Sequence, residues 1–294
     1  MARLSFLALL VMLLGTQAQA GVLTNGALTV SLRSNGAIDS AVFGGVNFFK
    51  PGAGTDVSNF GLQNGSDTSS FLLNSTHGLS GFSVVESGFS YSGSVLLGSG
   101  ASLNYQRTYS LVAGLNALRV VTTVTNTGLA RFTVSHFDTF DPDQAFSLIQ
   151  DPNNPASFQT SNDVFALAGG RVGQASINTN SSQLTVLVGS LDSRAVIASG
   201  GPLQIASGKD LNKFLATPVD ANGLLDDKGT HIGFRQELDV DQSTTFTYLM
   251  TFGANPNEAQ QAFSLTAIPE PSSMAIFGAI GICGLFLHRR RTAF

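Results

Sequence analysis

The sequence predicts an all-β protein, an antiparallel β-sandwich followed by a single C-terminal transmembrane helix. Three observations lead to this fold class: short runs of alternating apolar residues, turn signals about every eight to twelve positions, and no long stretch of helical periodicity. The chain of 294 residues contains 32 Gly and only 12% charged residues. That composition is typical of many short strands joined by tight turns.

The alternating runs place an apolar side chain at every second position, which turns one face of each strand toward a core. These runs are residues 28–32, 103–105, 109–111, 118–124, 132–134 and 184–188. Asn-Gly pairs favour tight turns, and four of them flank or separate the runs. They are Asn25-Gly26, Asn35-Gly36, Asn64-Gly65 and Asn222-Gly223, of which the first two bracket one strand. Residues 51–80 are mostly polar and rich in Gly and Ser, so a long loop is predicted there.

One short helix is predicted after the last strand. Asn255 is a suitable N-cap, Pro256 suits the first helical position, and Glu258 at the third position completes a capping box. The helix should run to about Leu265. We expect residues 255–268 to form a short stalk that follows the sandwich of residues 21–254.

The first 20 residues have the three zones of an export signal. Arg3 provides the positive region, residues 4–14 are apolar except for Ser5, and Ala18 and Ala20 form an A-x-A cleavage site. An uncleaved anchor is the alternative. The cleavage site favours a signal peptide of residues 1–20 and a mature chain that begins at Gly21.

The C-terminal region contains an apolar run followed by a cluster of positive charge. The run of residues 274–287 would be roughly 21 Å long as a helix, against a hydrocarbon core of roughly 30 Å. Length alone leaves a buried core helix as an alternative. Arg289, Arg290 and Arg291 favour a membrane span, because positive residues beside a span remain on the cytoplasmic side. The body is then expected in the periplasm.

Residues 269–294 resemble the sorting signal of bacterial PEP-CTERM proteins, which are substrates of an exosortase. The resemblance rests on Pro269, Glu270 and Pro271, on the glycine-bearing apolar run, and on the three arginines. It implies recognition by a membrane-embedded exosortase and cleavage near this motif. The protein would be anchored transiently in the inner membrane and then delivered to the cell envelope or an extracellular polymer such as exopolysaccharide.

The composition of the body limits the possible partners. Outside Arg3 and the three C-terminal arginines, eleven Lys and Arg face nineteen Asp and Glu, a net charge near −8. Nucleic acid needs clustered Lys and Arg, so it is not an expected partner. The only cysteine, Cys283, lies in the apolar run, and no G-x-S-x-G motif is present. No cofactor is predicted, and an enzyme is not the favoured reading.

The densest polar cluster of the body is His136, Asp138, Asp141 and Asp143. Carboxylates this close could bind Ca²⁺ or act as acid and base on a sugar. A plain turn is the favoured alternative, because Asp-Pro and Pro-Asp pairs form turns. Strand alternation would point His136, Asp138 and Phe140 to one face, and Phe137 and Thr139 to the other.

The body also has a faint similarity to the β-supersandwich of galactose-mutarotase-like proteins. It lies in residues 28–45 and 107–138, and the catalytic His of that family would correspond to His136. No matching Glu can be assigned.

Three functions therefore stay open. The leading hypothesis is a non-enzymatic exported envelope or matrix protein with a structural or interaction role. The second is a carbohydrate-binding module that would use exposed aromatic side chains. Its candidate tyrosines are Tyr91, Tyr105, Tyr109 and Tyr248. The third is a mutarotase-like sugar-acting enzyme centred on His136.

Overall fold

The structure, a computed structural model, describes thirteen segments of the chain. They are residues 19–33, 36–49, 58–64, 71–72, 83–85, 88–97, 100–142, 150–151, 154–158, 160–177, 183–200, 222–226 and 229–266. In this part of the chain no helix is long and apolar enough to cross a membrane. The run of residues 274–287, expected to do so, lies outside the described residues.

Twenty strands and one helix make up the described fold. The strands, β1 to β20 in chain order, are Gln19–Asn25, Leu28–Arg33, Ile38–Phe43, Val46–Asn47, Ser58–Asn64, Phe71–Leu72, Ser83–Val85, Gly88–Leu96, Ser102–Leu111, Ala117–Asn126, Phe132–Phe140, Gln150–Asp151, Asn154–Phe158, Thr160–Leu167, Gly170–Ser176, Thr185–Ser190, Val196–Gly200, Asn222–Asp226, Gly229–Leu238 and Ser243–Gly253. Helix α1 is Pro256–Thr266. The predicted all-β class is confirmed.

The strands form two large sheets and two small ones. The nine-stranded sheet has the order β18-β14-β15-β16-β20-β10-β9-β8-β7, and the five-stranded sheet has the order β17-β19-β11-β5-β6. A four-stranded sheet of β1 to β4 and the β12–β13 pair complete the set. Every described pairing is antiparallel. The sandwich prediction therefore holds at the level of architecture.

The core lies between the two large sheets. Phe234 of the five-stranded sheet stacks on Phe246 of the nine-stranded sheet, with ring centroids 5.0 Å apart. The small sheet packs over the same core, where Phe48 meets the edge of Phe252 at 5.2 Å. One continuous cluster of buried apolar residues thus joins three sheets. Burial of this apolar surface is the main favourable term in folding.

Two turn predictions have different outcomes. Gly26 has a φ of +58°, and Asn25 pairs with Leu28, so the first Asn-Gly pair does form a tight hairpin. Asn222 and Gly223, in contrast, are the first residues of β18 and pair with β14, so that turn prediction is wrong. The pair lies at the start of an edge strand, and the same two residues are common in turns and at strand ends.

The loop predicted for residues 51–80 contains an interior strand of the five-stranded sheet. Residues 58–64 form β5, which pairs with β11 along seven residues, and residues 71–72 form β6. Only Phe60 and Leu62 alternate as apolar positions in β5, between polar neighbours. The strand therefore depends on its pairing with β11, because its own sequence alternates too weakly to predict a strand.

Helix α1 packs against the outer face of the nine-stranded sheet. Its N-terminus has the predicted cap, since the Glu258 backbone N–H donates to Asn255 Oδ1 at 3.0 Å. The Ala254 N–H donates to the Glu258 carboxylate at 2.9 Å. Buried Ala259 and Phe263 then contact apolar residues of the sheet. Residues up to Thr266 are therefore part of the folded body and do not extend from it as a stalk.

Candidate functional site

The two large sheets are joined by a buried ion pair. Arg107 of β9 and Asp138 of β11 both point inward and have fully buried side chains. Arg107 Nη2 lies 2.7 Å from Asp138 Oδ1, and Nη1 lies 3.1 Å from Oδ2. This two-pronged geometry matches the planar guanidinium to the carboxylate.

Arg107 reaches this position because β9 is one strand with strict alternation. The apolar runs at residues 103–105 and 109–111 both belong to it, and Arg107 occupies the inward position between Tyr105 and Tyr109. An arginine at an inward position breaks the apolar pattern. This charged residue at an apolar position is the feature of the sequence that indicates a buried charge.

Every N–H group of the Arg107 guanidinium has an acceptor. Besides Asp138, Nε donates to the Tyr109 hydroxyl at 2.6 Å. Nη1 donates to Thr122 Oγ1 at 3.2 Å, and Nη2 donates to the Tyr248 hydroxyl at 2.8 Å. A buried charge is tolerated only when it is paired and fully hydrogen-bonded, and this one meets both conditions. The paired Asp138 raises the pKa of Arg107 above its usual value, against the opposing effect of burial.

His136 is the next member of the network, and it is neutral. It lies 1% exposed, and its Nδ1 donates to the Gly61 carbonyl at 2.9 Å, because a carbonyl can only accept. Nε2 is then the acceptor for the Thr122 hydroxyl at 3.2 Å. Burial lowers the pKa of His136 to about 4. Its Nε2 lies 3.6 Å from Asp138 Oδ2, but a neutral imidazole makes no ion pair there.

The predicted alternation of β11 is confirmed by these contacts. His136, Asp138 and Phe140 face the nine-stranded sheet, where Phe140 meets Tyr248 at 5.8 Å between ring centroids. Phe137 and Thr139 fall on the opposite face, which is also buried. The segment is a strand through Phe140, so the plain turn favoured for it is wrong at His136 and Asp138.

The structure brings His136 and Asp138 together. Asp141 comes directly after the last residue of β11 and is not part of that strand. Asp143 lies outside the described residues. Among the described residues no group of three or more His, Cys, Asp or Glu side chains could hold a metal ion.

The tyrosines proposed as sugar platforms are all buried. Tyr91 and Tyr109 are 0% exposed, Tyr105 is 1% and Tyr248 is 2% exposed. Burial raises the pKa of each phenol, to about 12 for Tyr109. Tyr109 donates to the Gly36 carbonyl and Tyr91 to the Arg33 carbonyl at 2.9 Å, which ties the small sheet to the core. The prediction of stacking tyrosines is therefore wrong.

The network as described is suited to holding two sheets in register. A general acid or base must come within hydrogen-bond reach of its substrate. Arg107, Asp138 and His136 are at most 1% exposed, and within the described part of the chain they are bonded to one another, to Thr122 and to the Gly61 carbonyl. The sequence prediction found His136 and Asp138 and missed Arg107 and Thr122, which lie on other strands. It named Tyr248 only as a stacking residue and not as a partner of Arg107.

Comparison with known proteins gives a fold and no family. No protein-family model and no curated protein sequence matches this chain. Among solved structures, a bacterial glucoamylase complexed with acarbose superposes with a TM-score of 0.54 at 12% identity, covering 88% of this chain. The chain spans 36% of the length of that glucoamylase. The shared feature is the fold of the sandwich.

Mutarotase-like proteins also appear among the structural neighbours, at lower similarity. A galactose mutarotase-like protein from Lactobacillus casei ATCC 334 gives a TM-score of 0.48 at 11% identity, covering 79% of this chain and 99% of its own. A galactose mutarotase related enzyme from Lactobacillus acidophilus gives 0.43 at 7% identity, covering 80% and 98%. Similarity this low carries no information on activity.

Proposed function

We propose that this protein is an exported envelope or extracellular-matrix protein, sorted by an exosortase, with a structural or interaction role linked to exopolysaccharide. One observation supports a non-catalytic body more than any other. The residues that suggested catalysis, His136 and Asp138, are enclosed in the core and committed to Arg107 and Thr122. Their arrangement stabilises the sandwich.

The sorting part of the proposal rests on the sequence of the two ends. Pro269, Glu270, Pro271, the three arginines and Ala18 lie outside the described residues, and Ala20 is the second residue of β1. Cleavage after Ala20 would leave β1 beginning at Gly21. Only Ala267 and Ile268 separate the last residue of α1 from the Pro-Glu-Pro motif. An exosortase would therefore meet the motif within a few residues of a folded domain.

Mass spectrometry of the mature termini tests the sorting proposal. In cells with the sorting protease, the mature chain should begin at Gly21 and lack the residues that follow the motif. A Pro269→Ala/Pro271→Ala variant, and cells without the protease, should both retain residues 272–294 in the membrane fraction. A Thr24→Ala variant, altered in the body, serves as the control. Retention of the tail in normal cells would refute the proposal.

A sugar-acting enzyme is the second candidate, and one observation favours it. That observation is the fold shared with a bacterial glucoamylase complexed with acarbose, and His231 of β19 is a histidine that is not part of the Arg107 network. Polarimetry of freshly dissolved α-D-glucose and α-D-galactose is the test. Faster anomer interconversion that is lost in His231→Gln would support an enzyme. A rate equal to that of buffer would exclude mutarotase activity on these sugars.

A further inference from the structure

The outer face of the nine-stranded sheet contains an uncharged polar surface. Eight outward side chains from four adjacent strands form it, and we call it the hydroxyl–amide face. They are Ser92, Ser94, Asn104, Gln106, Thr123, Thr125, Ser243 and Thr245. All eight are exposed or half-buried. The chain has 12% charged residues, and none of these eight is charged.

The eight side chains form two parallel rows. Strand register aligns Ser92, Gln106, Thr123 and Thr245 in one row, and Ser94, Asn104, Thr125 and Ser243 in the other. Each row crosses four strands, roughly 14 Å, and the rows lie roughly 7 Å apart along the strands. The face is therefore a regular grid of hydroxyl and amide groups.

Hydrogen bonds between neighbouring strands fix the orientation of these groups. Thr123 Oγ1 lies 3.1 Å from Thr245 Oγ1, and Thr125 Oγ1 lies 2.7 Å from Ser243 Oγ. Ser94 donates to Asn104 Oδ1 at 2.8 Å. Each hydroxyl and amide keeps further donor or acceptor capacity toward solvent, because a single bond uses only part of it. Pre-oriented groups lose less conformational entropy on binding a ligand.

A cavity of about 450 Å³ opens on this face. Its lining includes six of the eight residues, all except Ser243 and Thr245, together with Gly93 and Tyr105. Every polar group in the lining is uncharged.

The geometry points to the hydroxyl–amide face as a binding surface for a neutral polysaccharide chain. The hydroxyls of a sugar polymer can both donate hydrogen bonds to, and accept them from, the hydroxyl and amide groups of this face. An anionic polymer or nucleic acid would find no Lys or Arg among these eight residues, and both need positive partners. Protein interfaces are enriched in aromatic residues, Met and Arg and depleted in Ser, which is the opposite of this composition. This inference deepens the proposed matrix role and rests on it.

Binding at one face should be weak and should depend on repeated engagement. The eight residues include no aromatic ring, so stacking contributes nothing there. A long polymer offers many equivalent units, and an array of bound proteins gains avidity by effective concentration. A matrix protein held at many points along a polymer needs no higher affinity per site.

Affinity electrophoresis of the full chain tests this inference. Native gels would contain dextran, galactomannan or hydroxyethyl cellulose as neutral polymers, with alginate as an anionic one. At least one neutral polymer should retard the protein, and alginate should not exceed it. An Asn104→Ala/Gln106→Ala variant removes the two amides beside the cavity and should weaken retardation on the order of tenfold. Ser94→Ala/Thr125→Ala, in the second row, should behave likewise.

A matched control lies in the small sheet. Thr24 and Thr29 form an exposed hydroxyl pair at 3.4 Å outside the face, and Thr24→Ala/Thr29→Ala should leave retardation unchanged. Circular dichroism melts confirm that each variant is folded. No retardation by any neutral polymer, stronger binding to alginate, or an equal loss in the control would overturn the inference. So would a change in sedimentation of the face variants without polymer, which would mark an interface between copies.

The two proposals fail separately. If the protein is cleaved at the sorting motif but is not retarded by neutral polymers, the binding inference is refuted and the sorting proposal stands. If the protein binds a neutral polymer but keeps residues 272–294, only the sorting proposal is refuted.

Discussion

At the scale of single residues, the buried Arg107–Asp138 pair is the feature on which the core depends. Removal of an ion from water costs several kcal/mol even after relaxation, and only close pairing with full hydrogen bonding offsets that cost. The Arg107 side chain has both, with two contacts to Asp138 and three to hydroxyls. Loss of one partner therefore leaves an uncompensated charge.

Asp138→Asn should lower the free energy of unfolding by about 3–5 kcal/mol, because Arg107 stays buried without a counter-charge. Urea unfolding followed by circular dichroism measures this. Asp39→Asn is the control, since the Arg33–Asp39 pair at 2.8 Å is partly exposed and should change stability by less than about 1 kcal/mol. An Arg107→Met/Asp138→Leu variant should lose less than Asp138→Asn. An Asp138→Asn protein as stable as wild type would contradict this account.

The neutral state of His136 predicts a pH dependence of stability. Well above pH 6.5 the imidazole is neutral in both the folded and the unfolded chain. As the pH falls from 6.5 to about 4, the unfolded chain takes up a proton and the folded chain does not, because burial lowers the pKa to about 4. The folded state therefore loses up to on the order of 3 kcal/mol across this window.

Urea titrations at pH 7.5 and 4.5 would isolate this effect. The difference in unfolding free energy between the two pH values should be smaller in His136→Gln than in wild type. His231→Gln is the comparison variant. Identical pH dependence in wild type and His136→Gln would show that His136 is protonated in the folded state.

The sequence predicted the face of β11 correctly at this scale and predicted its environment incorrectly. Alternation assigned His136 and Asp138 to one side because that pattern is local. Their partner Arg107 lies 31 positions from Asp138, and Tyr248 lies 141 positions from Arg107. Contacts at such separations depend on strand order, which a local pattern does not contain.

At the scale of elements, helix α1 shows how much a short signal can predict. The cap at Asn255, the proline at the first position and Glu258 gave both the helix and its start. Its docking surface was not predicted, because that surface combines apolar residues of three strands with two glycines. A Cβ on Gly189 would lie 2.7 Å from Phe263 Cε2, and one on Gly253 would lie 2.5 Å from the Ala259 nitrogen.

Asn255→Ala should destabilise the protein by about 1 kcal/mol, because the Glu258 N–H loses its acceptor. Chemical unfolding monitored by far-UV circular dichroism is the measurement. Gln261→Ala, at an exposed position of the same helix, should be neutral within about 0.5 kcal/mol. Equal effects of the two substitutions would mean that the cap contributes nothing.

At the scale of the whole molecule, the two large sheets approach closely at Gly173 of β15. A Cβ there would lie 2.7 Å from Thr230 Cγ2 and 2.9 Å from Ile197 Cγ2, both on the five-stranded sheet. Interiors are close-packed, so an added methyl group has no free volume to occupy. The small residue sets the spacing of the sheets at that point.

Gly173→Ala should therefore lower the free energy of unfolding by about 1–3 kcal/mol through overpacking. The double variant Gly173→Ala/Thr230→Ser removes the nearer methyl group and should recover part of the loss. Thermal and urea unfolding of the four proteins in this cycle give the coupling. Independent, additive effects would show that the sheets separate freely at this point.

The sandwich class was predictable at this scale, whereas the strand order was not. Alternation in β2, β10, β11 and β16 follows from the need of each sheet to bury one face. The central pairing of β10 with β20 joins Thr123 to Thr245, 122 positions apart. Strand β5, in a region predicted as a loop, depends on the same kind of distant partner.

The central ion pair also selects one alignment of the strands. A slip of β9 by one residue would turn Arg107 toward solvent and bring Gln106 or Thr108 into the core. Asp138 would then be buried without its cation. A slip of β11 by one residue would turn Asp138 to the opposite face, which is also buried, and would leave Arg107 without its carboxylate. Misaligned sandwiches thus contain an isolated charge, and the correctly folded chain is distinguished from its near neighbours by several kcal/mol.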